Sequence, residues 1–300
     1  MAVYKKTYRP YEGTLTASGK RFLVIPRYAF EDLHRSRFLN IFYLASFLYP
    51  LIAAIIIYVE HNVDALKLLN AQNAARLITI DESFFMSFLG WQSMLALFLA
   101  AFIGPGQVSP DLANNALSLY LARPFSRAEY ILGKLSVLWI LMSLMTWVPG
   151  LLLFCLEGYL EGAGWMAKHS SIAAGLFLGA WVWILVLSLL ALALSAWVKW
   201  KPAAGALMFG VFFVASGFGG AINQVEGTSW GSLLSINTLV GTIWVNLFTG
   251  GDQESNGGAF FRLPPGDHLP AWCCWLMLGV MCAVFLSMLR RKIRGAEVAR

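Results

Sequence analysis

Apolar positions in this chain fall in long, nearly unbroken runs separated by short polar segments. They lack both the alternation of a half-buried strand and the single stripe of a surface helix. Six runs, near 38–59, 83–104, 135–156, 172–198, 202–222 and 271–289, have the roughly 20 apolar residues that a helix needs to cross about 30 Å of hydrocarbon. Inside a bilayer every backbone polar group must be satisfied within the segment, so runs of this length predict helices. The expected fold is an all-α integral membrane protein with six transmembrane helices. A further uncharged stretch, 227–249, is diluted by Ser229, Ser232, Ser235, Asn237, Thr238, Thr242 and Asn246. It reads as an outer re-entrant segment before the last span, packed against protein and returning without crossing.

The longest polar interruption lies at 105–134 and carries two helix-start patterns. Ser109, Pro110 and Asp111 have the order of a side-chain cap, a first-position proline and an acid facing the helix's positive end. Leu112, Ala116, Leu119 and Tyr120 then share a face, and Arg123-Pro124 closes the helix because the residue before proline disfavours helical geometry. Ser126 and Glu129 have capping-box spacing, which opens a second helix through Tyr130 and Lys134 into the third run. The expectation is a short helix lying flat at the surface, followed at once by a span.

Charge orients the picture. Of the 22 lysines and arginines, all but Lys67, Arg76, Lys168 and Arg262 fall on one side of a six-span arrangement, and cations are retained on the cytosolic side of short loops. Both termini are therefore expected in the cytosol. A seventh crossing at 227–249 would put Arg290, Arg291, Lys292 and Arg294 outside. The organisation that follows is a cytosolic amino-terminal segment at 1–37, a six-span domain at 38–289 with its cytosolic loop at 105–134 and outer segment at 223–270, and a basic tail at 290–300. Residues 20–37 mix apolar side chains with five cations, which suits an interfacial helix bent at Pro26 or an ordinary solvated approach to the first span. The first outer loop has Val63, Leu66, Leu69 and Leu77 near helical spacing, and 250–268 is rich in glycine and proline, as in an exposed loop.

Composition removes several functions. At 58% hydrophobic and 13% charged residues the chain is far from a soluble globule, and its net charge of +6 is spread over the ends of apolar runs, so nucleic acid is not an expected partner. The runs as drawn contain no Asp, Glu, Lys, Arg or His, which disfavours an ion-coupled carrier. Glu157 sits at the outer end of the third run, where a partly solvated carboxylate reads as an interfacial anchor. Gln92 and Asn40 read as partners of neighbouring helices. Cys155, Cys273, Cys274 and Cys282 form no CxxC pair, and His34, His61, His169 and His268 stand on loops or flanks, so no metal site is expected. The GxxxxGK[ST] and HExxH patterns are absent, and no enzyme activity is expected of this chain. Gly175 to Gly179 and Gly205 to Gly210 permit close helix contact without naming the partner helix.

The segment DLANNALSLYLARPFSRAEYILGK, residues 111–134, resembles the cytosolic loop of type-2 ABC transporter permeases, in which an acid, an Asn-Ala-Leu stretch, Leu-Tyr-Leu, Arg-Pro and Ser-Arg precede a tyrosine and Gly-Lys entering the third span. The resemblance implies a permease subunit in a bacterial inner membrane that pairs with a second permease copy, identical or different, and with two ABC ATPase subunits. ATP and Mg would be bound by those subunits and no cofactor by this chain. It also implies that Asp111, Asn115, Leu117, Tyr120, Arg123, Pro124, Ser126, Arg127, Glu129 and Lys134 lie at or beside the contact through which the ATPase drives the permease. Trp91, Trp139, Trp147, Trp181 and Trp183 in the spans suit either a path for an amphipathic or lipid-like substrate or simple interfacial anchoring. A membrane anchor or assembly factor using the same loop, an ion-coupled carrier and a lipid-modifying enzyme stand as alternatives.

Overall fold

A computed structural model describes residues 18–62, 79–114, 116, 120, 126–250 and 269–298. No strand occurs among the described residues, and six helical segments are long and apolar enough to cross a membrane, at 37–61, 82–113, 127–161, 170–197, 201–226 and 271–293. Val63, Leu66, Leu69 and Leu77 of the first outer loop, and residues 251–268 of the glycine- and proline-rich loop, lie outside the described residues.

The first three spans are each broken at one residue, and a proline follows each break. The first consists of α2 (Arg37–Ser46) and α3 (Leu48–His61), the second of α4 (Glu82–Ile103) and α5 (Pro105–Ala113), and the third of α6 (Arg127–Met145) and α7 (Trp147–Glu161). Proline lacks the N–H that would bond the carbonyl four residues back. Pro50 thus leaves the Ser46 carbonyl open, and the buried Gln92 side chain of α4 donates to that oxygen at 3.1 Å. The expected helix-to-helix role of Gln92 has this specific cause.

Before the first span, a 3-10 turn (Ser18–Leu23) leads into α1 (Val24–His34). Pro26 falls in the first turn of α1, where its missing N–H costs nothing, so the expected bend at Pro26 is instead a helix start. α1 packs on α6, where a side chain at Gly133 would meet Ile25 Cδ1 at 2.6 Å and the Phe22 carbonyl oxygen at 3.0 Å. The glycine of the Gly133-Lys134 pair thus seats the amino-terminal helix against the third span.

The fourth span, α9 (Ser170–Trp197), is the central post. It packs against α4, α5, α6, α7, the fifth span α10 (Lys201–Glu226), the sixth span α12 (Ala271–Val298) and α11 (Ile236–Thr249). Buried residues fill 72% of its most apolar window, against 22% in the first, fifth and sixth spans, which therefore form the periphery. α12 runs without interruption through Arg290, Arg291, Lys292 and Arg294. A six-residue helix, α8 (Ala163–Lys168), links α7 to α9.

After α10, Gly227 adopts a left-handed conformation (φ 63°) and the chain doubles back beside that helix. A 3-10 turn (Trp230–Leu234) follows, with Asn223 donating to Ser232 Oγ at 2.7 Å and the Ser216 and Ser235 hydroxyls 2.8 Å apart. α11 then climbs alongside α9, with Trp244 Nε1 donating to the Gly179 carbonyl at 2.9 Å and Phe248 against Gly175. At 14 residues, about 21 Å long, α11 is too short to cross the hydrocarbon core. The Gly175 and Gly179 pair therefore serves an internal contact: both glycines receive aromatic rings of α11.

Candidate functional site

The loop that joins the second and third spans stands on three sets of contacts. The first is the elbow at Gly104. A Cβ there would lie 2.5 Å from Ala191 Cβ, so glycine lets α4 touch α9 at this point. One turn further along α9, the buried Ser195 hydroxyl enters the first turn of α5. Its Oγ accepts from the Val108 and Ser109 amides, both at 3.0 Å, and donates to the Pro105 carbonyl at 2.8 Å. A side chain on another helix thus satisfies backbone groups at the start of α5.

This overturns the helix start expected at Ser109. α5 begins at Pro105, and Ser109 lies inside it, 6% exposed, with its hydroxyl donating to the Lys199 carbonyl at 3.1 Å. Pro110 is an interior residue of α5. The local cap pattern lost to the proline five residues earlier, whose start is capped from α9.

The second set locks α5 to α6. Asp111 Oδ2 accepts from the Tyr130 hydroxyl at 2.7 Å and pairs with Lys134 Nζ at 2.8 Å. The side chains of Lys134 and Asp111 are 12% and 16% exposed, and Tyr130 is buried. Lys134 also lies 5.7 Å from the centre of the Tyr130 ring, and the Tyr120 ring packs 5.6 Å from it, centroid to centroid. Partial burial, helped by the Asp111 carboxylate, raises the Tyr120 phenol above its usual pKa. The third set is the capping box at the head of α6. Ser126 N–H donates to Glu129 Oε2 at 2.6 Å and Glu129 N–H to Ser126 Oγ at 3.2 Å, as its spacing foretold.

The ten residues picked out by the sequence thus divide by position. Asp111 and Lys134 hold each other, Ser126 and Glu129 cap α6, and Tyr120, Ser126 and Arg127 are exposed around that frame. Asn115, Leu117, Arg123 and Pro124 lie outside the described residues. Tyr130 was not among the ten, although it joins both halves of the lock. Its signal was the four-residue spacing from Tyr130 to Lys134, which puts both on one face of α6 towards Asp111.

Two other features bear on chemistry. At the opposite end of the third span, Glu157 is 2% exposed, so the expected partly solvated anchor is a buried carboxylate. It meets His61 at the end of α3 and stands one turn from Glu161. Of the tryptophans considered for a path, Trp183 is fully buried and donates to the Ser93 carbonyl at 2.9 Å, while Trp139 donates to Ser188 Oγ at 3.0 Å. Both serve helix packing. The cysteines at 273 and 274 are buried thiols of α12.

A model of the family described as ABC-2 family transporter protein matches residues 28–288, most of the chain and all of the loop. No curated protein matches the chain.

Proposed function

We propose that this chain, which belongs to the ABC-2 transporter family, takes its motion from a separate ATP-hydrolysing subunit seated against the 105–134 loop. As an ABC transporter permease it is a multi-pass membrane protein, and in our reading the loop, the amino-terminal helix and the end of α12 face the cytosol of a bacterial cell. The cation bias supports that orientation.

One observation carries the coupling. The loop is flanked by helices continuous with two spans, and the Asp111, Tyr130 and Lys134 lock makes their ends one body. A push at Tyr120 or Arg127 then reaches the second and third spans together and, through Ser195, the central fourth span. Packed helices respond to such a push by rigid tilting and sliding. Coupling by contact asks no catalytic group of this chain, and ATP and Mg would stay on the partner. A second permease copy and lipid would cover the peripheral spans, where α10 leaves Gly210, Gly217 and Gly220 open beside exposed Phe213, Val214 and Phe218.

Purification in mild detergent tests the reading. The wild type is expected to retain an ATP-hydrolysing subunit, and Arg127→Glu to lose at least tenfold of it through like-sign or mispaired charge at the contact. Its thermal stability should stay unchanged, because position 127 is exposed. Equal retention by Arg127→Glu, or a wild type that brings no ATPase, favours an anchor that recruits some other cytosolic protein.

A further inference from the structure

The end of the bundle opposite the loop brings together His61, the last residue of α3, with Glu157 and Glu161, one turn apart on α7. One ligand atom from each lies within 4.8 Å of the others. His61 Nδ1 is 3.0 Å from the Ile57 carbonyl oxygen, which can only accept, so Nδ1 carries a proton. A neutral imidazole then aims the Nε2 lone pair at Glu161 Oε1, 3.4 Å away, and at Glu157 Oε1, 3.7 Å away. Three acceptors facing one another require either a shared proton, on Nε2 or on a carboxyl, or a metal ion among them.

Geometry favours the metal. Both separations exceed the roughly 2.7–2.9 Å of a charge-assisted hydrogen bond. The shorter, 3.4 Å, matches the spacing of about 3.3–3.4 Å between ligands of a tetrahedral ion with bonds of about 2.0–2.1 Å, and the longer, 3.7 Å, would have to close slightly around it. A histidine whose other nitrogen is tied to a backbone carbonyl has the orientation typical of a metal ligand. Independently, Glu157 is 2% exposed, and its Oε2 has no hydrogen-bond partner. A buried carboxylate oxygen without a partner carries a desolvation cost that a bound cation would offset. The neighbouring Glu60, electrostatically coupled to His61 and Glu161, also has a buried oxygen without a partner.

We propose that His61 Nε2, Glu157 and Glu161 bind a divalent transition-metal ion of the zinc class, with Glu60 beside it supplying further negative charge. One imidazole nitrogen with two carboxylates suits zinc better than magnesium or calcium, which demand six or more oxygens. The bound ion ties the first span to the third at the face away from the loop. This site does not depend on the transport reading, since occupancy is measurable without ATP or a partner.

The test uses untagged full-length chain in detergent, stripped with chelator and titrated with zinc against a fluorescent chelator. One zinc per chain should survive gel filtration, and millimolar magnesium should not displace it. His61→Ala and Glu161→Gln should each weaken binding by about tenfold or more, while His169→Ala leaves it unchanged. Glu161 is half exposed, so its variant is expected to fold even if changes at the buried Glu157 do not. The proposal fails if no zinc is retained, if both variants bind like wild type, or if magnesium displaces zinc at equal concentration.

Discussion

Asp111→Ala is expected to loosen the loop-bearing end of the protein by about 2–3 kcal/mol, somewhat below the usual loss for a fully buried pair because the side chains of Lys134 and Asp111 are 12% and 16% exposed. The substitution strands the Lys134 ammonium and the buried Tyr130 hydroxyl at once. Thermal unfolding in detergent should show a lower midpoint, and protease should cut between α5 and α6 at lower doses than in wild type. Asp111→Asn keeps an acceptor for Tyr130 and loses the charge for Lys134, so its effect should be intermediate. Asp111→Ala with Lys134→Met removes both charges and should recover most of the loss, because the penalty comes chiefly from the stranded cation. If Asp111→Ala alone leaves stability and proteolysis unchanged, the lock does not hold the two spans together.

The second large effect is expected at the opposite end of the fourth span. A Cβ at Gly175 would lie 2.7 Å from Phe248 Cδ2, against a fully buried ring held on a short helix. Gly175→Leu places three further carbons in that ring's space and should cost about 3 kcal/mol, at the upper end of core overpacking. α11 should part from α9, which opens the backbone amides of 236–249 to hydrogen exchange while those of α4 stay protected. Adding Phe248→Ala vacates the space and should restore much of the protection. Gly179→Ala, whose nearest contact is Trp244 Nε1 at 3.0 Å, should have a milder effect. Gly210→Ala, with no atom within 4 Å, should not loosen the isolated chain and gains helix propensity.

Local pattern made the six spans legible, since an apolar run of membrane length has few other fates. The capping box at Ser126 and Glu129 was legible for the same reason: all its atoms lie within four residues. The breaks at Phe47 and Thr146 had a signal in Pro50 and Pro149, but the continuous apolar runs around them masked it, whereas the break at Gly104 falls where the second run was read to end. The start of α5 was misread because Ser109-Pro110-Asp111 is a good cap in isolation. The true start depends on Ser195, nearly 90 residues away in sequence. Long-range pairing hid the rest: His61 and Glu157 come together only because the first and third spans pack side by side. In the loop, the sequence placed Asp111 and Lys134 at or beside a contact with a partner, and the structure adds that they pair with each other and that Asp111 accepts from Tyr130.

The central claim is that a nucleotide-binding subunit touches the loop, and a photoreactive benzoyl-phenylalanine at position 120 tests it most directly. That position is exposed and aromatic, so the substitution is mild. Irradiation of intact membranes should attach the chain to a protein carrying a GxxxxGK[ST] phosphate-binding loop, whereas the same probe at the half-exposed Leu178 within the fourth span should not. Attachment at position 120 only to proteins without such a loop, or to none, would contradict the account and make the chain an anchor rather than a driven permease.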